Sequence, residues 1–178
     1  ERSSGTALFS DLSGFTPLME HLSSTLGPQQ GADELTRLLN NPCTPLIGEV
    51  HGHGGSCIAF GGDALTCWFP GSDAALAAAG CALAMQRHVG GFGPLETSAG
   101  TVRFAMHIGL ASGEVRRFCV GQPPHGRPDV LAGSTVDRMA AAQHRAASGQ
   151  VVVDAATAAL LPAAALRPLE EGFALLTG

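Results

Sequence analysis

The sequence predicts an α/β domain, also described as α+β, built on a mixed sheet with helices covering one or both faces. Short runs in which apolar and polar residues alternate, clearest at 102–110, are typical of strands with one buried face. An alanine-rich run at 74–89 has high intrinsic helix propensity. Strand and helix patterns follow each other in the order βααβ, βαβ and βαβ, without a repeat or a linker. We therefore expect a single domain over residues 1–178.

The first elements have clear local signals. A strand is predicted at 6–12, followed by a helix at 13–26 that a Gly-Pro pair ends. A second helical pattern begins at Gly31. Pro42 and Pro45 lie inside it and predict a kink or a break, because each proline removes a backbone donor.

A β-hairpin follows. Strand-like runs at 56–60 and 64–69 are joined through Gly61 and Gly62, a strong short-range hairpin signal, so we expect Asp63 at the hairpin tip. The remaining predictions are a helix at 74–89 capped by Asp73, a loop at 90–100, a strand from 102 towards 120, a loop at 122–128, a short strand at 130–131, a helix from Ser134 or Thr135 to about Ala146, and a strand at 149–154.

Composition excludes several classes of protein. The chain has 178 residues, is 45% hydrophobic and 14% charged, and carries a net charge of −5, which disfavours a nonspecific nucleic-acid binder. No apolar stretch is long enough to span a membrane and no signal sequence opens the chain, so we expect a cytoplasmic protein. The cysteines are odd in number and lack a CxxC pair, which indicates reduced thiols without a disulfide or a zinc site. They are Cys43, Cys57, Cys67, Cys81 and Cys119.

Two segments each place one carboxylate where an apolar strand ends or turns. Leu8–Thr16 contains Asp11, and Phe60–Phe69 contains Asp63. Phosphate-handling enzymes use paired carboxylates on strands to hold Mg²⁺. For either aspartate alone, an Asx-turn, a helix cap or simple turn chemistry is the favoured interpretation. Both together, in these contexts, favour a nucleotide–metal site.

Three histidines also lie in suggestive positions. His51 and His53 alternate as metal ligands do, but no third ligand candidate lies nearby in the sequence, which favours a solvated turn. His107 lies in an alternating strand, which favours a core or sheet-face residue over a catalytic acid or base.

Four blocks of residues occur in a fixed order along the chain. They are Phe9-x-Asp11-x-x-Gly14-Phe15-Thr16, Phe60-x-Gly62-Asp63-Ala64-Leu65, His107-x-Gly109-Leu110-Ala111-Ser112-Gly113, and Gly133-x-x-Val136-Asp137 with Gly149-Gln150-Val151-Val152-Val153. Together they resemble the catalytic domain of class III adenylyl and guanylyl cyclases, over about residues 5–155. Within that family the chain is most similar to the first, metal-donating catalytic half of soluble, bicarbonate-responsive adenylyl cyclases, which share the Gly-x-x-Val-Asp motif.

The resemblance implies a fold, a reaction and a partner. The fold is a ferredoxin-like βαββαβ core with a mixed, mostly antiparallel sheet and helices packed on it. The reaction converts ATP, or less favourably GTP, to a 3′,5′-cyclic nucleotide and pyrophosphate. Nucleotide binds between two domains of a head-to-tail dimer, so the partner is a second copy or a complementary cyclase half. We also expect the chain to be part of a longer protein.

The resemblance also implies site residues. Asp11 and Asp63 would hold two Mg²⁺ or Mn²⁺ ions, with the carbonyl of Leu12 as a further ligand. Two such metals acidify the ribose 3′-hydroxyl and neutralise the triphosphate during in-line attack. The nucleotide-binding set implied by position is Leu12, the backbone amides of Ser13, Gly14, Phe15 and Thr16 at a helix start, Gly62, and Arg127 in the loop before the strand at Val130.

The chain departs from the family pattern at five positions. Ala59 stands where active homodimeric members have a purine-reading Lys, and Val130 where they have a purine-selecting Asp or Thr. Asp137 and Ala141 replace the Asn and Arg that meet the transition state. Ala140 replaces the Arg that, with the same Lys, binds bicarbonate in the responsive relatives, so we do not expect bicarbonate activation. The metal half of the site is present and the base-recognition half is missing.

One carboxylate lies close to the purine-selecting position. Asp129 precedes Val130 directly, but neighbouring residues of a strand point to opposite faces, so we expect Asp129 to point away from the site.

Three functions remain open from sequence. The first is a metal-donating cyclase half that needs a complementary half. The second is a catalytically degenerate domain that acts as a regulatory or dimerisation module. The third is a diguanylate cyclase, because Gly61-Gly62-Asp63 begins like the signature of that family, although Ala64 replaces its Glu.

Overall fold

The structure of the protein is a computed structural model that describes residues 1–13, 15–91, 93–97, 100–119, 121 and 129–177. At 15–17, 35, 37–44, 95–97 and 100 it describes the backbone element alone. The elements are β1 (Arg2–Ser13), α1 (Phe15–Leu26), α2 (Pro28–Gly52), β2 (Ser56–Gly61), β3 (Ala64–Pro70), α3 (Ala74–Gly91), β4 (Leu95–Thr97), β5 (Gly100–Val102), β6 (Ala105–Cys119), β7 (Asp129–Ala132), α4 (Ser134–Arg145), β8 (Val151–Val153), α5 (Ala155–Ala158), β9 (Leu166–Pro168) and β10 (Ala174–Leu176).

The main sheet confirms the expected topology. Its strand order is β2-β3-β1-β6-β8-β10-β9, and β7 pairs with the far end of β6. β6 and β8 run parallel, whereas all other neighbours are antiparallel. The first four strands of the main sheet, separated in sequence by α1 and α2 and then by α3, form a βαββαβ unit with spatial order β2-β3-β1-β6. This is the ferredoxin-like arrangement.

Helices cover the two faces of the sheet unequally. On one face α1, α2 and α3 pack over the largest apolar cluster, which includes Leu8 and Leu12 of β1. On the other face α4 packs through Met139 against a smaller cluster that includes Ala7 and Trp68. Because side chains alternate along a strand, Leu8, Ser10 and Leu12 face the first layer, and Asp11 shares the second face with Ala7.

A buried polar network ties α4 to the sheet. Asp154 is 2% exposed, and it accepts hydrogen bonds from the backbone N–H and the hydroxyl of Thr157 at 2.8 and 2.6 Å. Arg138 of α4 donates Nε to Asp154 at 2.7 Å and a second N–H to the carbonyl of Ser112 at 2.7 Å. The Ser112 hydroxyl in turn bonds to that of Thr6 on β1 at 2.8 Å. These satisfied groups fix α4 relative to β1 and β6.

The predicted break in the second helix is wrong. α2 is continuous over 25 residues and runs through Pro42 and Pro45. Leu46 and Val50, which follow the prolines, are buried against the sheet. Tertiary packing supplies most of the stability of a protein helix, and here it offsets the backbone hydrogen bonds that the prolines remove.

Two other expectations are corrected, and two strands were not predicted at all. The predicted loop at 90–100 contains β4, which pairs with β5 in a separate two-stranded sheet, because its glycines and proline flank short strands. The cap of α4 is Gly133, not Ser134 or Thr135, since the Thr135 hydroxyl donates to the carbonyl of Glu114 on β6 at 2.8 Å. The strands β9 and β10 were not predicted, and each has only three residues.

Candidate functional site

The two predicted carboxylates meet at one end of the sheet. Asp11, near the end of β1, pairs with Ala64 of β3 on one side and with His107 of β6 on the other. Asp63 directly precedes Ala64, in the turn between β2 and β3. Gly62 has a φ of +68°, a conformation that glycine adopts without strain. Asp63 lies at the hairpin tip, as predicted, and is close enough to Asp11 to be affected by its charge.

The pair is electrostatically unfavourable by itself. Partial burial raises the pKa of the Asp63 carboxyl, its own backbone N–H partly opposes that shift, and the negative charge of Asp11 raises the pKa further. Two carboxylates that repel each other in this way are stabilised when a cation lies between them.

The donor set is suited to a hard cation. Within the described residues, no group of three or more His, Cys, Asp or Glu side chains could hold a metal ion. A metal at Asp11 and Asp63 would therefore take its other ligands from backbone oxygen, water or the phosphates of a nucleotide. Oxygen donors of this kind fit Mg²⁺ or Mn²⁺.

We expect Asp63→Asn to stabilise the metal-free protein at pH 7. A raised pKa in the folded state means that ionised Asp63 costs folding free energy, and this cost grows as pH rises through that pKa. The substitution removes the charge, so thermal unfolding should show a higher Tm at pH 7 and no difference below the ordinary carboxyl value of 3.8. Asp73→Asn, in the loop before α3, is the control and should leave Tm unchanged. A lower Tm for Asp63→Asn at pH 7 would contradict this account.

The residues predicted to bind phosphate lie where β1 gives way to α1. Leu12 is 5% exposed, with its side chain in the core, so only its backbone is available to a ligand. Ser13 ends β1, and its hydroxyl donates to the carbonyl of Ala105 at 2.9 Å and shares a hydrogen bond with the Ser148 hydroxyl at 3.1 Å. The Leu12 side chain is buried and the Ser13 hydroxyl is already hydrogen-bonded, so a ligand would contact the backbone of these residues.

The helix expected after this strand is present. α1 has 12 residues and begins at Phe15, so its N-terminus directly follows β1. Gly14 lies outside the described residues, as do the side chains of Phe15 and Thr16. Arg127 lies in the 122–128 segment, which is also outside the described residues.

Sequence analysis did not find Ser10. Its side chain is fully buried, and its hydroxyl has no hydrogen-bond partner within the described structure. It lines a cavity of about 30 Å³ next to Asp63, together with Leu12 and Met106. That space is large enough for one water molecule, which would satisfy the hydroxyl of Ser10. Nothing in the sequence distinguishes this serine from others.

The three predicted departures in base and bicarbonate recognition come together in one groove. An open groove of about 340 Å³ lies on the α4 face, beside the uncovered part of the sheet. Its lining consists of Phe9, Ile58, Ala59, Thr66, Asp129, Val130, Leu131, Val136, Met139 and Ala140. Ile58 is the extra residue of a β-bulge in β2, since Cys57 pairs with Cys67 and Ala59 with Thr66. The bulge lets Ile58 and Ala59 both line the groove.

The expected orientation of Asp129 is corrected. Both Asp129 and Val130 line the groove. By alternation along β7, the side chain of Asp129 shares the α4 face with Leu131, and the side chain of Val130 belongs to the opposite face. Arg117 donates two hydrogen bonds to the Asp129 carboxylate, one of them from Nε at 3.1 Å. That pairing and a hydrogen bond from the Cys119 thiol lower the pKa of Asp129. The carboxylate therefore stays charged and is already paired within the chain.

Two of the histidines singled out by the sequence, His53 and His107, form hydrogen bonds with backbone carbonyl oxygens. Nδ1 of His107 lies 2.8 Å from the carbonyl oxygen of Ala146, which makes this residue a sheet-face histidine, as predicted. His51 lies in the last turn of α2, and His53 follows it as the C-cap, with Nδ1 2.9 Å from the carbonyl oxygen of Glu49. Nε2 of His88 on α3 lies 2.7 Å from the carboxylate oxygen Oε1 of Glu49.

The fold and the site together define a class. The chain has the fold of the catalytic domains of class III adenylyl and guanylyl cyclases. It is similar to the guanylate cyclase domain of RhGC from Catenaria anguillulae in complex with GTP, with a TM-score of 0.80 and 19% identity, covering 100% of this chain and 98% of that one. It is also similar to the adenylyl cyclase CyaB from P. aeruginosa, with a TM-score of 0.78 and 20% identity, covering 100% and 95%.

Sequence comparison supports the same family. The chain is 29% identical over 154 residues to adenylate cyclase type 10 of Homo sapiens and of Oryctolagus cuniculus. The match covers 84% of this chain and 9% of each relative, so the chain spans a small part of their length. No protein-family model matches the chain. The resemblance found in the four sequence blocks is confirmed.

In the described part of the chain, no helix is both long enough and apolar enough to cross a membrane. Cys57, Cys67, Cys81 and Cys119 are not in disulfides among the described residues, and the side chain of Cys43 lies outside those residues.

Proposed function

We propose that residues 1–178 form a nucleotide cyclase domain that supplies the metal-binding half of a site shared with a second domain. The substrate is ATP, or less favourably GTP, and the products are a 3′,5′-cyclic nucleotide and pyrophosphate. The observation that carries the proposal is the meeting of Asp11 and Asp63 at the end of β1, in a fold shared with solved cyclase domains. The free thiols favour a reducing, cytoplasmic setting.

The chain's own residues have defined tasks in this proposal. Asp11 and Asp63 bind two Mg²⁺ or Mn²⁺ ions, and the backbone carbonyl of Leu12 adds an oxygen ligand. When bound, the metals would acidify the ribose 3′-hydroxyl and offset charge on the triphosphate. Gly62 keeps the turn tight enough to hold Asp63 in place. The N-terminus of α1, after Ser13, directs backbone N–H groups towards phosphate oxygens.

The groove explains why a partner is needed. A base-reading site requires hydrogen-bond donors and acceptors, yet Ala59, Val130 and Ala140 offer none from their side chains, and Asp129 is already paired with Arg117. On α4, Asp137 and Ala141 are one turn apart and provide no cation for the developing phosphorane charge. Two copies of this chain would share both deficiencies. A complementary half bearing Lys, Asn and Arg would supply what is missing.

The same groove favours a second candidate. A domain with an intact fold and an apolar base pocket is also suited to a regulatory or dimerisation role without turnover. The two candidates differ in one measurable property, which is whether the chain contributes to catalysis when a complete partner half is present.

We expect the chain alone to produce little or no cyclic AMP or cyclic GMP with Mn²⁺, and to support turnover with a complementary half. Missing transition-state contacts of the arginine type cost about 10³–10⁵-fold in rate. The triple variant Ala59→Lys, Asp137→Asn and Ala141→Arg should raise activity of the chain alone. Ala59 and Asp137 are exposed, so their replacements require no repacking.

The matched control is the same triple variant carrying Asp11→Ala, which should be inactive. Robust turnover by the unmodified chain, lost in Asp11→Ala, would overturn the half-site proposal in favour of a self-sufficient cyclase. If neither the complemented chain nor the triple variant produces cyclic nucleotide, although both fold normally, the regulatory candidate is favoured. Bicarbonate should not activate the unmodified chain, because Ala59 and Ala140 stand where the cationic ligands of bicarbonate would be.

A further inference from the structure

We propose that Cys57 and Cys67 form a peroxide-sensitive dithiol, which hydroperoxides convert to a disulfide across the hairpin that carries Asp63. This site is separate from the carboxylate pair and does not depend on the cyclase activity.

The sheet register places the two thiols within bonding range. Cys57 of β2 and Cys67 of β3 are directly opposite each other in an antiparallel pair. Opposite residues in such a pair have Cα atoms about 4.5 or 5.5 Å apart, inside the range of about 4.4–6.8 Å that a disulfide requires. Both side chains belong to the apolar layer under α1, α2 and α3, where each thiol shifts the pKa of the other. The register therefore brings the two cysteines into the range in which a disulfide can form.

The two sulfurs have different environments, and this gives each a different role. Cys57 is partly exposed, and the hydrogen bond from Cys67 lowers its pKa to about 7, against a smaller opposing effect of burial. Cys67 is fully buried, and the same hydrogen bond, together with burial, raises its pKa. Cys57 is therefore the nucleophile that a peroxide reaches, and Cys67 is the resolving thiol.

The chemistry balances with a hydroperoxide as the oxidant. The Cys57 thiolate attacks one oxygen of hydrogen peroxide, the O–O bond breaks, and Cys57 sulfenic acid and hydroxide form. The Cys67 sulfur then displaces the sulfenic hydroxyl, which leaves as water with the Cys67 proton, and the S–S bond forms. Each disulfide consumes one peroxide, which is reduced by two electrons. A thiol reductant reverses the reaction.

The location gives the modification a structural effect. Residues 57–67 enclose the hairpin turn, with Gly62 and Asp63 at its tip, and a bulge at Ile58 adjoins Cys57. A disulfide here closes that segment into a covalent ring and restricts it in the unfolded chain. We expect oxidation to raise the Tm by about 5 °C, reversibly.

The test begins with the reduced wild-type chain and a small excess of hydrogen peroxide. After alkylation of remaining thiols, peptide mapping without reduction should show a linked peptide pair joining Cys57 and Cys67, which dithiothreitol removes. In Cys67→Ser, oxidation should stop at the sulfenic acid of Cys57, which dimedone traps. Cys57→Ser should show neither product. Cys81→Ser is the matched control and should behave as wild type, because Cys81 is a buried thiol whose pKa burial raises to about 12.

A second measurement on the wild-type chain avoids reliance on the folding of the variants. Phenylarsine oxide, a trivalent arsenical that bridges neighbouring thiols, should form a single adduct spanning Cys57 and Cys67 and should block oxidation by peroxide. The proposal would be overturned if peroxide failed to link Cys57 to Cys67. It would also be overturned if peroxide linked Cys57 to a different cysteine. An oxidised protein with an unchanged Tm would overturn the stabilising effect.

Discussion

Asp11→Ala and Asp63→Ala are each expected to reduce the affinity for Mn²⁺–ATP by at least about 100-fold. Loss of residues that merely support a metal ligand costs about 10–100-fold in metal affinity, and loss of a ligand itself costs more. The structure holds Asp11 on β1 and Asp63 in the turn before the neighbouring strand β3, so neither can replace the other. Isothermal titration calorimetry of each variant with Mn²⁺ and an ATP analogue that lacks the ribose 3′-hydroxyl measures the effect. The analogue separates binding from turnover, which matters because the chain alone is expected to turn over slowly.

Asp73→Asn is the charge-matched control for this experiment. It removes one carboxylate from the loop before α3, and its Asn remains compatible with a helix start. It should bind as the wild type does. Unchanged affinity in both Asp11→Ala and Asp63→Ala would falsify the assignment of the metal site, whatever the activity measurements show.

Gly109→Ala is expected to destabilise the fold by about 3 kcal/mol, at the upper end of the range for overpacking. A Cβ atom at Gly109 would lie 2.3 Å from the backbone N of Gln143 and 2.5 Å from the carbonyl oxygen of Met139. Both atoms belong to the backbone of α4, which Arg138 and Asp154 hold in place. The helix must therefore move as a unit. Urea unfolding followed by circular dichroism should show a lower midpoint with the same slope.

Gly48→Ala is the matched control for glycine replacement. Gly48 is exposed in α2, and a Cβ there would meet nothing within 4 Å. Alanine has the higher helix propensity, so this variant should be more stable than wild type by about 0.5–1 kcal/mol. Equal effects of the two substitutions would show that α4 does not contact β6 as closely as the structure indicates.

Local signals in the sequence predicted the parts of the fold that depend on neighbours in sequence. The hairpin around Gly61 and Gly62 and the alanine-rich helix α3 were predicted because turn chemistry and helix propensity act over a few residues. The continuity of α2 through Pro42 was missed because burial of Leu46 and Val50 against a distant sheet decides it. The pairing of β10 with β8 was missed for the same reason, since three-residue strands carry almost no periodic signal.

Residues around the candidate site also fall into those that local sequence signals identified and those that depend on contacts across the fold. Asp11 and Asp63 stood out because each follows an apolar strand, and the register then brought them together. Ser10 and Arg138 were not found, because their importance comes from an unpartnered buried hydroxyl and from an ion pair across the fold. The orientation of Asp129 was mispredicted because the sequence does not show which face of β7 borders the groove. Alternation itself holds, since Asp129 and Leu131 share the α4 face.

The length of β6 has a mechanical consequence. It runs unbroken for 15 residues, roughly 50 Å at about 3.3 Å per residue, from the layer that contains His107 to the ladder with β7. Phe118 and Val130, paired across that ladder, are each 44% exposed at its far end. A strand resists stretching along its axis, so tension applied at this pair is transmitted along the backbone of β6. It reaches the position where His107 pairs with Asp11. One continuous strand, without an intervening loop, therefore joins the Phe118–Val130 pair to the position that faces Asp11.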